Sequence, residues 1–150
     1  MATKQIIIED KDGKRLNLDA GKKYIVYIGG KVSGLFPEEY HEKFEECRKF
    51  VETYLPRCYQ AVIPMDLCED DWGWFQCMEA CVPVIKESIA LILMPDWKDS
   101  KGATCEKYIA EAAGIPIIEL HKEGNLTEVE RAWLFQNEFS DALSHRLPKS

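Results

Sequence analysis

Short apolar segments alternate with longer amphipathic ones through most of the chain, and this alternation constrains the fold more than any other sequence feature. Four segments, rich in Ile, Val and Leu and bounded by turn residues, are typical of buried strands: residues 24–28, 58–63, 88–94 and 115–120. Helical periodicity covers residues 37–54, 74–87 and 101–113. Strands that alternate with helices pair in parallel through right-handed crossovers. The sequence therefore predicts a Rossmann-like or flavodoxin-like α/β fold, with a parallel sheet and helices on both of its faces.

Two further elements flank this region. Three consecutive isoleucines at residues 6–8 and an Asp-Gly turn signal at residues 12–13 predict an N-terminal β-hairpin within residues 1–20. Thr127 and Glu130 form a capping-box pattern, and the apolar residues that follow have helical spacing. We expect a helix within residues 125–150 that covers the sheet or a partner subunit. No repeat or linker divides the chain, so residues 1–150 are expected to form a single domain.

Charge and hydropathy exclude several classes of partner. The chain has 19 basic and 26 acidic residues and a formal net charge of -7, which argues against binding to duplex nucleic acid. A small anionic ligand held by a few local donors is still compatible with this charge. No apolar run approaches the roughly 18–20 residues that span a bilayer, and no segment resembles a signal peptide. We therefore expect a cytoplasmic protein without a membrane partner.

The six cysteines are scattered and contain no Cys-x-x-Cys pair. In a cytoplasmic chain this pattern indicates reduced thiols with a structural role. Cys77 and Cys81 have i,i+4 spacing and could share a metal ion, but no second pair or nearby histidine completes a tetrahedral site. The sequence therefore predicts neither a bound metal nor a cofactor.

The segments that directly follow the strands are the candidates for a binding site, because ligands of open parallel sheets lie beyond the carboxyl ends of the strands. Residues 29–34 are a glycine-rich turn with a lysine and a serine, whose backbone could approach an anion. The alternative is a tight turn without a ligand. Residues 64–74 contain four carboxylates and two indoles that could line the rim of a pocket. The alternative there is a solvated acidic turn with both indoles in the core.

The third segment, residues 94–106, leads from a strand into a helix. Ser100 is suited to cap that helix, which puts Glu106 one to two turns inside it. A helical glutamate is usually a solvated surface residue. A long side chain at this position could instead turn back toward the loop and the Ser-x-Gly turn that precedes it. Glu106 is therefore a candidate functional residue.

Several motifs, taken in order and spacing, resemble the nucleoside 2-deoxyribosyltransferase-like superfamily. The first is the tyrosine-glycine turn of residues 27–35, and the second is Trp74 with Cys77, Met78 and Cys81. The strand at residues 88–91 and the run Met-Pro-Asp-Trp-x-x-Ser-x-Gly-Ala-x-x-Glu at residues 94–106 complete the pattern. The resemblance runs from about residue 24 to residue 120 and is closest to an uncharacterised branch from phages and bacteria.

The resemblance implies chemistry at an N-glycosidic bond. Characterised relatives cleave or exchange this bond in deoxynucleosides or nucleoside 5'-monophosphates, with a glutamate that attacks the anomeric carbon. By resemblance Glu106 is that nucleophile and Tyr27 orients it. The residues implied to hold the phosphate or the rest of the substrate belong to the two glycine-bearing turns: Gly29, Gly30, Lys31, Ser33, Gly34, Ser100 and Gly102.

The chain also departs from the pattern of those relatives. The hydrolases carry an aspartate that assists departure of the base, and this chain has Ala80 there, so Asp96 and Asp99 are the substitutes by position. The Asp-Gly-Asn signature of the transferases is missing, which favours hydrolysis over base exchange. The prediction is a nucleoside or nucleotide N-glycosidase. The alternatives are a nucleotide-binding or nucleotide-sensing module without turnover, and an oligomeric interaction protein with a vestigial site.

The quaternary prediction is a homo-oligomer. Members of the superfamily are commonly dimers or larger assemblies. Trp133, Phe135 and Phe139 in the predicted last helix supply an apolar face that suits an interface between subunits.

Overall fold

A four-stranded parallel sheet forms the centre of the structure, a computed structural model that describes residues 7–9, 15–17 and 24–144. The strands of this sheet are β3 (Tyr24–Gly29), β4 (Tyr59–Val62), β5 (Ala90–Leu93) and β6 (Ile117–Glu119), in the spatial order β4-β3-β5-β6. The helices are α1 (Pro37–Tyr54), α2 (Trp74–Glu87), α3 (Lys101–Ala112) and α4 (Glu128–Ser144). Strands β1 (Ile7–Glu9) and β2 (Arg15–Asn17) form a separate antiparallel pair. The α/β fold predicted from the sequence is confirmed.

The strand order determines where loops separate at the carboxyl edge of the sheet. The crossover from β3 through α1 leads to one side of β3, and the crossover from β4 through α2 returns to its other side. The loop after β3 therefore turns away from the loop after β5. A crevice opens at such a point in doubly wound folds, and small ligands bind there.

Helices cover both faces of the sheet, as the alternation of side chains along β3 requires. Val26 and Ile28 face the core layer formed by α1 and α4, whereas Ile25 and Tyr27 face the layer formed by α2 and α3. Side chains of a strand alternate between the two faces of a sheet. Because helices cover both faces here, all four of these residues are buried. Tyr27 is thereby directed into the α2 and α3 layer.

The predicted bounds of α1 and α2 agree with the structure. Strand β3 is one residue longer than predicted, and β4, β5 and β6 are shorter than predicted. The sequence pattern places Ile115 in the last strand, whereas in the structure it closes α3: its backbone N–H donates to the carbonyl of Ala110 at 2.8 Å. Gly114, with a φ of 72°, provides the left-handed residue that ends α3. An apolar segment indicates which residues are buried. The hydrogen-bonded strand within that segment extends only as far as its partner strand.

The last helix begins at the predicted capping box. Thr127 Oγ1 accepts a hydrogen bond from the N–H of Glu130 at 3.1 Å, and Glu130 Oε1 accepts one from the N–H of Thr127 at 3.0 Å. Residues 145–150 of the predicted C-terminal extension lie outside the described residues. So does the Asp-Gly turn of the N-terminal hairpin, whose two strands pair with Ile8 opposite Leu16.

The apolar face predicted for an interface is used inside the subunit. Phe135 and Phe139 are buried, and their rings contact those of Phe50 and Tyr59 at centroid distances of 6.1 and 5.3 Å. That part of the prediction is wrong, because both rings pack on the sheet and on α1. Trp133 is on the outer side of the helix, with 64% of its surface exposed. The homo-oligomer stays a prediction.

Among the described helices, none is long and apolar enough to cross a membrane.

The packing of α4 can be tested by a pair of substitutions on the same helix. Phe135→Ala removes a ring that is 1% exposed, and we expect it to lower the free energy of unfolding by about 3–5 kcal/mol. Trp133→Ala should change it by about 0.5 kcal/mol or less, because the indole is exposed. Denaturant unfolding measures both values. Equal effects of the two substitutions would contradict this orientation of α4.

Candidate active site

A cavity of about 490 Å³ opens at the carboxyl edge of the sheet, on the side covered by α2 and α3. Its walls come from the segments that follow β3, β4 and β5 and from the first turns of α2 and α3. This volume lies in the range of small-molecule sites, and the position is the one expected for ligands of a doubly wound sheet.

Glu106 and Tyr27 both line this cavity and are almost completely buried, with 4% and 0% of their surfaces exposed. The start of α3 determines where Glu106 lies. Ser100 caps the helix, its Oγ accepting a hydrogen bond from the N–H of Ala103 at 3.1 Å. Glu106 is therefore on the same buried face of α3 as Ala103 and Ala110, whose small side chains bring the helix close to the sheet.

Gly29 provides the space that the Glu106 carboxyl group occupies. A Cβ atom at Gly29 would lie 3.2 Å from Glu106 Oε1 and 3.2 Å from Leu93 Cδ2, which is closer than ordinary van der Waals contact. Gly29 is not among the residues that line the cavity. The resemblance assigned it to substrate binding, whereas its position at the end of β3 is behind the carboxyl group.

The hydroxyl group of Tyr27 lies beside the Glu106 carboxyl group and the Cys81 thiol. Neither contact has the geometry of a regular hydrogen bond, and no other described residue supplies a partner. A buried hydroxyl group without a regular partner is uncommon and costly in a protein interior. Tyr27, Glu106 and Cys81 all line the cavity, so this hydroxyl group lies within its wall.

Burial raises the pKa of Glu106 to about 8, and the smaller effect of the nearby Tyr27 hydroxyl lowers it. Burial also raises the pKa of Tyr27 well above its ordinary value. In the described part of the chain, no ion pair reaches Glu106. The carboxyl group therefore binds a proton near neutral pH. Strongly shifted acids inside clefts are typical of functional sites.

Two glycine-bearing turns meet at one end of the cavity. Gly30, Ser33, Ser100, Lys101 and Gly102 line it there. Ser100 Oγ donates a hydrogen bond of 3.4 Å to the carbonyl of Gly30, which joins the two turns. The backbone N–H groups at the start of α3 and its helix dipole favour a negatively charged group. Lys101, which the sequence analysis did not identify, adds a cation.

Besides Gly29, four of the predicted site residues do not line the cavity: Lys31, Gly34, Asp96 and Asp99. Asp96 accepts a hydrogen bond from the N–H of Lys31 at 3.1 Å and forms an ion pair with Lys43 Nζ at 2.6 Å. It therefore holds the first glycine turn against α1. Gly34 has a φ of 82°, which a tight turn requires. Asp99 is exposed in a short 3-10 helix. Neither proposed substitute for the missing acid reaches the cavity.

The acidic and aromatic segment after β4 forms the other end of the cavity. Residues of this segment and the start of α2 contribute Met65, Cys68, Glu69, Asp70, Trp72 and Trp74. Of the two interpretations of this segment, the rim of a pocket agrees with the position of these residues in the cavity wall. Asp70 Oδ1 accepts hydrogen bonds from the Tyr40 hydroxyl group at 2.7 Å and from His41 Nε2 at 2.8 Å. Tyr40 was not predicted as a site residue. The sequence feature that could have indicated it is an aromatic side chain on the buried side of the first turn of α1.

Three of the six cysteines line the cavity: Cys68, Cys77 and Cys81. All six are present as thiols, and none is joined in a disulfide. The Sγ atoms of Cys68 and Cys81 are 3.7 Å apart, which is a non-bonded contact. Within the described ranges, no group of three or more His, Cys, Asp or Glu side chains is arranged to hold a metal ion.

Comparison with known proteins identifies the family of the chain. It belongs to the family described as a domain of unknown function (DUF4406), whose profile matches residues 24–119. The matched segment includes all four strands of the parallel sheet and all the residues that line the cavity. No curated protein and no solved structure matches the chain.

The burial of Glu106 predicts a pH-dependent stability. An unfolded glutamate loses its proton near pH 4.5, whereas Glu106 in the folded protein keeps its proton up to about pH 8. Because the folded state then binds more protons, stability should fall as pH rises from 4.5 to 8. Glu106→Gln cannot ionise, so at pH 8 it should be more stable than the wild type by a few kcal/mol, on the order of the pKa shift. At pH 5 the gain should be much smaller.

Denaturant unfolding of both proteins across this pH range measures the effect. Glu87→Gln is the matched control, because Glu87 is an exposed glutamate at the end of α2 and its replacement should change stability by about 0.5 kcal/mol or less. A Glu106→Gln variant that is less stable than the wild type at pH 8 would contradict the burial of an uncompensated carboxyl group.

Proposed function

We propose that this member of the DUF4406 family is an N-glycosidase that acts on nucleoside 5'-monophosphates, as its resemblance to the nucleoside 2-deoxyribosyltransferase-like superfamily implies. The observation that carries the proposal is Glu106, a buried carboxyl group without a cation, in the wall of a cavity open to small molecules. Its neighbour in that wall is Tyr27, the other residue that the resemblance assigns to the reaction.

The proposed reaction follows the two steps of a retaining glycosidase. The ionised carboxylate of Glu106 attacks the anomeric carbon, the bond from that carbon to the base nitrogen breaks, and the electron pair leaves with the base. Water then attacks the same carbon and releases the carboxylate. One proton of that water ends on the base and its oxygen ends on the sugar, so atoms and charge balance. Tyr27 acts as a positioning residue for the carboxylate.

The anion-binding character of one end of the cavity supports a phosphorylated substrate. Ser33, Ser100 and Lys101 line this end, and the N-terminus of α3 begins there. A phosphate at this end leaves the sugar beside Glu106. The base then extends toward the aromatic residues after β4, where flat indole faces favour a planar ring.

A nucleotide-binding module without turnover is the second candidate. Two observations favour it. Glu106 holds a proton at neutral pH and must lose it before it can attack. The position at which the hydrolases carry an acid is Ala80, which is buried, and neither Asp96 nor Asp99 lines the cavity. The two candidates share the cavity and differ only in whether base is released.

Release of free base tests the enzymatic proposal. The wild type should release base from at least one ribo- or deoxyribonucleoside monophosphate, and the rate should rise with pH through about 8 as Glu106 ionises. Glu106→Gln should lose this activity by several orders of magnitude and still bind the nucleotide, because only the nucleophile is removed. Chromatography of the products and ligand-induced melting shifts measure the two effects.

The outcomes separate the candidates. Binding without base release by the wild type favours the sensing module. The absence of any ligand-induced rise in melting temperature contradicts both, because a ligand of the native state must stabilise it, and it favours an interaction protein with a vestigial site. Near wild-type turnover by Glu106→Gln would remove Glu106 from the mechanism.

Phosphate recognition is tested by comparing each nucleotide with its parent nucleoside. The nucleotide should raise the melting temperature more, and Lys101→Ala or Ser100→Ala should reduce the difference, because both residues line the anion-binding end. Lys31→Ala is the matched control, since Lys31 is a lysine of the first glycine turn that does not line the cavity. Equal melting shifts for nucleoside and nucleotide would contradict the phosphate site.

A further inference from the structure

The two ends of the cavity have opposite electrostatic character. The start of α3 follows β5, and the segment of residues 64–73 follows β4. These strands lie on opposite sides of β3, so their ends are about 10 Å apart at the usual strand spacing. One end favours an anion. The other contains Glu69 and Asp70. A ligand that spans the cavity therefore has an acidic group at one end and hydrogen-bond donors at the other.

Asp70 is the carboxylate whose orientation is fixed. The Tyr40 hydroxyl group and His41 Nε2 both contact its Oδ1 atom, at 2.7 and 2.8 Å. Tyr40 is 7% exposed, so the first of these partners is anchored in the core. No described residue donates a hydrogen bond to Oδ2. The hydrogen bonds from Tyr40 and His41 lower the pKa of Asp70, which keeps it ionised and able only to accept.

The surroundings of Asp70 suit a flat ring. Tyr40, which contacts Asp70, lines the cavity together with Met65 and Trp72, and the three supply aromatic and thioether surfaces. The cavity contains a further carboxylate, Glu69, and lacks a basic side chain on the segment after β4. A ring that carries a carbonyl oxygen toward Asp70 would meet a carboxylate, whereas a ring that carries an amino group would donate a hydrogen bond to it.

We propose that Asp70 selects nucleotides whose base carries an amino group at purine C6 or pyrimidine C4, as in adenine or cytosine, against the same nucleotides with an oxygen in that position. This specificity rests on the proposed function for its ligand class but not on turnover. The side chain of Asp70 is 47% exposed. The amino N–H donates to its Oδ2 atom, whereas in the same pose the corresponding carbonyl oxygen directs a like partial charge at that atom. Hydrogen bonds to ionised groups contribute more than those between neutral groups, so the exchange of the amino group for an oxygen should lower the affinity.

The test uses nucleotide pairs in which an oxygen replaces this amino group: AMP against IMP and CMP against UMP. Because the oxo bases also gain a ring N–H that could donate, AMP is compared as well with purine riboside 5'-monophosphate, which lacks the amino group and keeps the acceptor nitrogen. Isothermal titration calorimetry in the Glu106→Gln background keeps the nucleotides intact. We expect the amino member of at least one pair to bind about 10–100 times more tightly, as for a hydrogen bond to a charged group. Adding Asp70→Asn should reduce that ratio to about 1–3, because an amide can either donate or accept. Asp71→Asn is the matched control, since Asp71 is the exposed neighbour that does not line the cavity.

Other results of the titrations would contradict either the role of Asp70 or the proposed nucleotide function. Binding of all four nucleotides with equal affinity overturns the role of Asp70 and leaves the proposed nucleotide function intact. Discrimination that survives Asp70→Asn, or that Asp71→Asn removes equally, assigns the specificity to another group. Failure of all four nucleotides to bind overturns the specificity together with the proposed function.

Discussion

The buried carboxyl group of Glu106 is the constraint on which the rest of the site depends. A carboxyl group that leaves water without a cation must either keep its proton or destabilise the fold. Its accommodation requires the absence of a side chain at Gly29, the small side chain of Ala103 and the register of α3 set by Ser100. Arrangements that oppose stability in this way are retained at functional sites, where a shifted pKa is useful.

The fold could be predicted from local sequence, because alternating strands and helices leave few topologies open. Pro37 and Glu87 are ends of helices that the sequence predicted correctly. Most strand ends could not be predicted, since they depend on the length of the partner strand: β6 has three residues and pairs with Leu91, Ile92 and Leu93 of β5. The orientation of α4 was equally hidden, because the partners of Phe135 and Phe139 are distant in sequence.

The parts of the candidate site that depend on residues close in sequence could be predicted. The parts that depend on contacts between residues distant in sequence could not. Ser100 and Glu106 lie six residues apart on one helix, so the cap and the buried face could be inferred from spacing. Asp96 had the right position in the chain but forms an ion pair with Lys43, which lies 53 residues earlier. Asp70 is oriented by Tyr40, 30 residues away, through a contact for which the sequence contains no local signal.

The proposed mechanism requires a bond between the Glu106 carboxylate and the anomeric carbon of a nucleotide. Mass spectrometry of protein quenched in acid during turnover tests it most directly, because a retaining mechanism passes through a glycosyl-enzyme ester. We expect the peptide that contains Glu106 to gain the mass of the sugar phosphate, with the modification on that residue. Release of base with the sugar phosphate attached to a different residue, or with no trapped ester under any quench time, would contradict it.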